Sequence, residues 1–169
     1  KARKQGQLVV ISSLAGKLGV PYRAPYSGSK HAITSLFDSI RAEVIEWFQS
    51  FSFCFSSLAQ SDGVHVTTIC PGYIRTNFDK NSITGSHGEV SGNTSESIQN
   101  GMAPEVFTKK ALRAIYRKEK EILIPDKFGQ SLFVLLRTLA PGIVFLGMRT
   151  FQKKINERIM MSDRAKKND

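Results

Sequence analysis

The spacing of apolar positions changes several times along this chain, and each change predicts an element. QLVVISS (7–13) is a short apolar, β-branched run closed by hydroxyls, the pattern of a strand buried on both faces of a sheet. LAGKLGVPYRAP follows with Gly and Pro at turn density and predicts a loop. In YSGSKHAITSLFDSIRAEVIEWF the apolar residues Ala32, Ile33, Leu36, Phe37, Ile40, Val44 and Phe48 fall at helical spacing. VHVTTICPG (64–72) is a second strand, stopped by Pro71 and Gly72. APEVFTKKALRAIYRKEK reads as a helix with Pro near its start and cations near its end, as the helix dipole favours. EILIPD is a third strand.

Strand, helix, strand, helix, strand is the α/β pattern, with a parallel sheet wound by right-handed crossovers. No internal repeat interrupts it. Three segments need their own reading. FQSFSFCFSSLAQS (48–61) is Phe/Ser-biased; an extension of the helix, an extra apolar hairpin and an insertion with no role all fit it, and the lack of a clean period favours the insertion. The polar Gly/Ser/Asn stretch over 77–102 predicts a lid or binding loop. SLFVLLRTLAPGIVFLGMRTF (131–151) is apolar enough to raise the membrane question, but Arg137 sits near its middle and Pro141-Gly142 breaks it. A central Arg costs a spanning helix about 2.5–3.5 kcal/mol. The segment therefore predicts two short apolar helices that cover a pocket or lie in a membrane interface. The division that results is 1–130 for the sheet domain and 131–169 for an apolar, then basic, extension.

Composition adds little to the fold and something to the surface. The chain has 169 residues, enough for one domain with a core, and 41% of them are hydrophobic. Its formal charge is +10, and residues from Lys109 onward carry fifteen Lys/Arg against six Asp/Glu. A basic tail of this kind meets an anionic membrane surface, meets nucleic acid, or is simply solvated. Nucleic-acid binding is the weakest of these, because no recognised motif or aromatic-basic platform accompanies the charge. Cys54 and Cys70 have neither metal-ligand nor disulfide spacing, so no metal is expected and Cys70, in its apolar run, is expected to be a buried thiol. His31, His65 and His87 are scattered and predict no site. The opening KARKQGQLVVISS has no starting Met and reads as the lead-in to a strand.

Candidate chemistry centres on a Tyr with a Lys four residues on. The spacing occurs twice, at Tyr26/Lys30 and at Tyr116/Lys120. Tyr116 has charged neighbours on its helix and reads as a surface residue. Tyr26 lies near the start of a helix that follows the strand ending in Ser12-Ser13. In open α/β sheets ligands bind beyond the carboxyl ends of the strands. Ser13, Tyr26 and the Pro71-Gly72 turn would gather there. The i, i+4 spacing sets Tyr26 and Lys30 on one helix face. A nearby ammonium stabilises a phenolate, which suits a tyrosine to proton exchange near neutral pH.

GQLVVISSLAG, YSGSKHA and VHVTTICPGYIRTN together resemble the short-chain dehydrogenase/reductase (SDR) family. They match its strand with a catalytic Ser, its Tyr-x-x-x-Lys with small residues between, and its Pro-Gly turn followed by Thr. PGYIRTN through RTLAPG, with the basic tail, is most similar to the member-7 subgroup, whose proteins are associated with the endoplasmic reticulum membrane. The resemblance implies a Rossmann-like doubly wound parallel sheet. It implies that Ser13 polarises a substrate carbonyl or hydroxyl, that Tyr26 is the general acid/base, and that Lys30 binds the nicotinamide ribose. It also implies that Pro71, Gly72, Ile74 and Thr76 line the nicotinamide. The cofactor implied is NADP or NAD, with NADP favoured by the resemblance alone. The substrate implied is a small lipophilic carbonyl or alcohol, with the 77–102 loop as its lid. The complete family fold also implies homo-oligomers.

The resemblance spans only the second half of that fold. Neither G-x-x-x-G-x-G nor G-x-G-x-x-G occurs in the chain, and the strand bearing Asn-Asn-Ala-Gly is not in it. A Gly-rich turn ahead of a helix N-terminus is what holds a cofactor pyrophosphate. The expectations are therefore about three strands, an exposed edge on the first, and weak cofactor binding and slow turnover by these residues alone. The alternative expectation is a non-catalytic chain that associates with membranes or a partner through its basic tail.

Overall fold

A computed structural model describes residues 5–49, 63–82, 92 and 94–167. The segment read as an insertion, 48–61, lies outside the described residues except for two helical backbone positions at its start. Strand β1 (Gly6–Ile11) leads through a 3-10 turn at Leu14–Gly16 into helix α1 (Ala24–Gln49). Strand β2 (Val64–Pro71), a short helix α2 (Glu96–Gln99) and helix α3 (Pro104–Tyr116) follow. Strand β3 (Glu121–Ile124) then hands the chain to helices α4 (Phe128–Leu139) and α5 (Pro141–Lys167).

The three strands form one parallel sheet in the order β1-β2-β3. Register runs Gly6 to Val64 through Ile11 to Ile69, and Thr68 to Glu121 through Pro71 to Ile124. All three carboxyl ends therefore face one side, which is where a site is expected in this architecture. β2 is the central strand, and its second half is fully covered, with Ile69 at 0% exposure. Ile69, Ala111 and Ile124 form the core, and Met102, Phe107, Ile115 and Ile122 pack against it. Burying one such aliphatic side chain contributes about 1.5–3 kcal/mol.

β1 departs from the sequence expectation of burial on both faces. Leu8, Val9 and Ile11 are exposed: among the described residues β1 pairs with β2 alone, and the helices pack on β2 and β3 rather than over the faces of β1. Its apolar composition belongs to a strand with neighbours on both sides. Polar ties hold the elements around the sheet. Gln7 Nε2 donates to Thr67 Oγ1 at 3.1 Å and to the Ile115 carbonyl at 2.9 Å. Arg41 Nη2 reaches Thr68 Oγ1 and the Lys120 carbonyl, both at 2.9 Å, and so ties α1 to the sheet.

The apolar stretch 131–151 does break at Ala140–Pro141, but its second helix is not short. α5 continues through the basic segment to Lys167, since no Pro or Gly follows Gly147 to stop it. The two helices pack closely: a Cβ at Gly147 would stand 3.1 Å from the Phe133 ring. The Tyr22 hydroxyl, on a residue at φ 62°, donates to Asn156 and ties α5 to the loop before α1.

Candidate active site

Beyond the strand ends lies a cavity of about 620 Å3 whose walls come from five stretches of the chain. Its floor begins where β1 stops. Ser12 is buried, and its hydroxyl lies 2.8 Å from Thr34 Oγ1. Gly16 is held so tightly over α1 that a Cβ would meet the Lys30 carbonyl at 2.7 Å. Only a residue without a side chain allows that approach. Ser13 caps the intervening turn, accepting from Ala15 N at 3.1 Å, and its hydroxyl donates to the Pro71 carbonyl at 3.4 Å.

The first turns of α1 supply Tyr26 and Lys30 to the same space. The Lys30 ammonium lies 5.7 Å from the Tyr26 ring centroid and donates to the Ile11 carbonyl at 3.3 Å. That bond draws the cation toward the end of β1. Phe78 meets the Tyr26 ring edge-on, with centroids 5.6 Å apart.

The turn after β2 supplies Pro71, Gly72, Ile74 and Thr76. Asp126, just past β3, fixes this turn by accepting from Tyr73 N at 3.0 Å. Its other oxygen, Oδ2, is buried and has no hydrogen-bond partner among the described residues. A Cβ on Gly72 would meet Asp126 Oδ1 at 2.3 Å and Gln130 Oε1 at 2.6 Å, so this position admits only Gly without rearrangement. Burial pushes the Tyr73 phenol above its ordinary range, and the nearby Arg23 guanidinium partly offsets this. Burial likewise raises the Cys70 thiol to about 11, which leaves it inert as a nucleophile near neutral pH.

Ser13, Tyr26, Lys30, Pro71, Gly72, Ile74 and Thr76 thus all line one cavity. Tyr116, the competing tyrosine, ends α3 and is 89% exposed. Several wall residues escaped the sequence reading. Asp126 and Gln130 could have been suspected from their place after a strand ending in Ile-Pro. Arg23 carried no local signal, and the reading of 131–151 as apolar helices over a pocket did not say that Phe133, Val134, Met148 and Phe151 would be the positions facing it.

The root of the 77–102 loop is pinned to this turn. Met102 N donates to the Tyr73 carbonyl and Arg75 N to the Met102 carbonyl, each at 2.9 Å. Asp79, almost buried, accepts from Arg23 Nη2 at 3.4 Å, from Ser95 N at 3.2 Å, and from the Ser95 hydroxyl. No group of His, Cys, Asp and Glu among the described residues could hold a metal ion.

Comparison with known proteins gives this arrangement a lineage. The family model described as short chain dehydrogenase matches residues 1–86, half of the chain. The chain belongs to the short-chain dehydrogenase/reductase family. Among its SDR relatives is dehydrogenase/reductase SDR family member 7B of Bos taurus, 37% identical over 152 residues. That match covers 90% of this chain and 42% of the bovine protein. The SDR family protein 7-like of Anopheles gambiae is 36% identical over 155 residues, covering 92% of this chain and 44% of that one. The chain thus spans less than half the length of these relatives.

Solved SDR structures share its fold. A short-chain dehydrogenase/reductase from Burkholderia phymatum in complex with NAD superposes with a TM-score of 0.59 at 17% identity. It covers 84% of this chain, which matches 50% of the bacterial one. A short-chain dehydrogenase from Burkholderia cenocepacia in complex with NADP gives a TM-score of 0.56 at 15% identity, covering 85% and 47% of the two chains.

Proposed function

We propose that this chain carries the catalytic portion of an NAD(P)-dependent oxidoreductase acting on a lipophilic carbonyl/alcohol pair. The observation that carries this reading is the convergence of Ser13, Tyr26, Lys30 and the Pro71–Thr76 turn on one cavity at the carboxyl edge of a parallel sheet. The nicotinamide supplies the hydride chemistry when bound. The donors here suit its nicotinamide end: an ammonium beside a phenol for the ribose, and a side-chain-free position at Gly72 where a flat ring can approach the turn. A Gly-rich pyrophosphate turn is not among these 169 residues, so weak cofactor binding and slow turnover are expected of this span by itself.

In this reading the Ser13 hydroxyl leaves the Pro71 carbonyl to donate to the substrate oxygen. The Tyr26 hydroxyl passes its proton to that oxygen in reduction and takes it back in oxidation. Lys30 steadies the charge beside the phenol. Phe133, Val134, Met148 and Phe151 give the far wall its apolar character, which supports a lipophilic substrate. NADP is the favoured cofactor through resemblance to the member-7 subgroup.

Consumption of NADPH with a panel of lipophilic ketones tests the reading. Tyr26→Phe is expected to lower the rate by about 10²- to 10⁴-fold. A rate unchanged in Tyr26→Phe and in Ser13→Ala would contradict it.

A further inference from the structure

A second cavity, of about 650 Å3, opens at the corner where α4 meets α5, and nothing in the proposed reaction uses it. Arg137 and Thr138 reach it from the last turn of α4, and Pro141 and Phe145 from the start of α5. His31 comes from α1 and Lys17 from the turn after β1. No Asp or Glu lines it. Gly19 and Met148 line both cavities, so the two adjoin.

Arg137 sets the chemistry of this corner. Its guanidinium lies 5.1 Å from the Phe145 ring centroid and makes no ion pair or hydrogen bond among the described residues. A guanidinium presents a planar fork of N–H donors that matches a carboxylate or a phosphate, and the aromatic contact orients that plane. An exposed arginine needs no partner, but one steadied on a ring, in a concavity without a carboxylate, is preorganised for an anion. The Thr138 hydroxyl also has no hydrogen-bond partner among the described residues. His31 Nδ1 donates to the Ser27 carbonyl at 2.9 Å, which leaves Nε2 as a further donor when the ring is protonated. Lys17 adds less, because it donates to Glu121 at 2.8 Å and its charge is offset there. The start of α5 at Pro141 brings the positive end of a helix dipole to the same corner.

We propose that this second cavity binds a phosphate or carboxylate oxyanion, with Arg137 as its principal ligand and His31 and Thr138 completing the contacts. The anion is either free in solution or the head of an amphiphile whose apolar part passes Gly19 and Met148 into the neighbouring cavity. The site does not depend on the catalytic reading above.

NMR of the isotopically labelled 169-residue chain, titrated with inorganic phosphate at an ionic strength held constant with chloride, tests the proposal. Saturable shifts are expected at Arg137, Thr138 and His31, with half-saturation at about millimolar phosphate. Arg137→Gln is expected to raise the half-saturation concentration about tenfold or more. His31→Ala should raise it in the same direction. Lys110→Gln, at an exposed cation of α3, should leave it unchanged. Resonances away from the corner report whether each variant keeps its fold.

A second titration, with dodecyl phosphate below its micelle-forming concentration, separates the two sources. Tighter binding than phosphate, with shifts that extend to Met148 and Phe133, supports the site as one for an amphiphile's head. Binding no tighter, without those shifts, supports it as one for a free anion. Absence of saturable shifts at Arg137, phosphate shifts centred instead on Arg23 and Lys30 in the first cavity, or a half-saturation unmoved by Arg137→Gln would each overturn the proposal.

Discussion

At position 72 a single missing methyl group decides how the turn after β2 is built. Asp126 can accept from Tyr73 N only because nothing projects from Gly72, where a Cβ would stand 2.3 Å from its carboxylate oxygen and 3.0 Å from its backbone nitrogen. Gly72→Ala is therefore expected to destabilise the fold by about 1–3 kcal/mol, the range for an overpacked site. Denaturant unfolding checks this, and an unchanged midpoint would contradict it. The gathering of Ser13, Tyr26, Lys30 and the Pro71–Thr76 turn around one cavity was legible because strand ends and i, i+4 spacing are local patterns. Asp126 and Asp79 were not legible: the Tyr73–Asp126 and Arg23–Asp79 contacts join residues 53 and 56 positions apart, and no local pattern encodes them.

At the level of elements, the loop over 77–102 is tied down at both described ends by one carboxylate. Asp79 receives Arg23 from the start of α1 and Ser95 from the far side of the loop. Asp79→Ala would leave the Ser95 amide and the Arg23 guanidinium without this acceptor, at a cost of about 1–3 kcal/mol. Amide exchange over 94–99 is expected to accelerate; unchanged protection there would contradict the latch. The helices of the carboxyl-terminal region illustrate what periodicity can and cannot say. Pro141 announces the break between α4 and α5, but the length of α5 is not legible, because the dense apolar run ends at Phe151 while helix propensity continues past it. Nor could the pattern say which faces of α4 look inward, since apolar residues lie on both.

For the molecule as a whole, composition and burial part company most clearly in the sheet. The composition of β1 is that of a strand covered on both faces, yet Leu8, Val9 and Ile11 are exposed, and among the described residues β1 pairs with β2 alone. Alternation of strands and helices foretold the parallel order; the exposure of β1 was not legible, because a β-branched apolar run does not say which of its faces helices cover. The groups proposed for the nicotinamide end of a dinucleotide line the cavity, and no Gly-rich turn of the kind that holds a pyrophosphate occurs in these 169 residues.

That asymmetry makes a direct test possible by saturation-transfer NMR of NADPH bound to this chain. The account predicts strong transfer to the nicotinamide protons, weak transfer to the adenine protons, and loss of the nicotinamide signal in Lys30→Ala. Transfer centred on the adenine, or no transfer to the nicotinamide at millimolar cofactor, would contradict it.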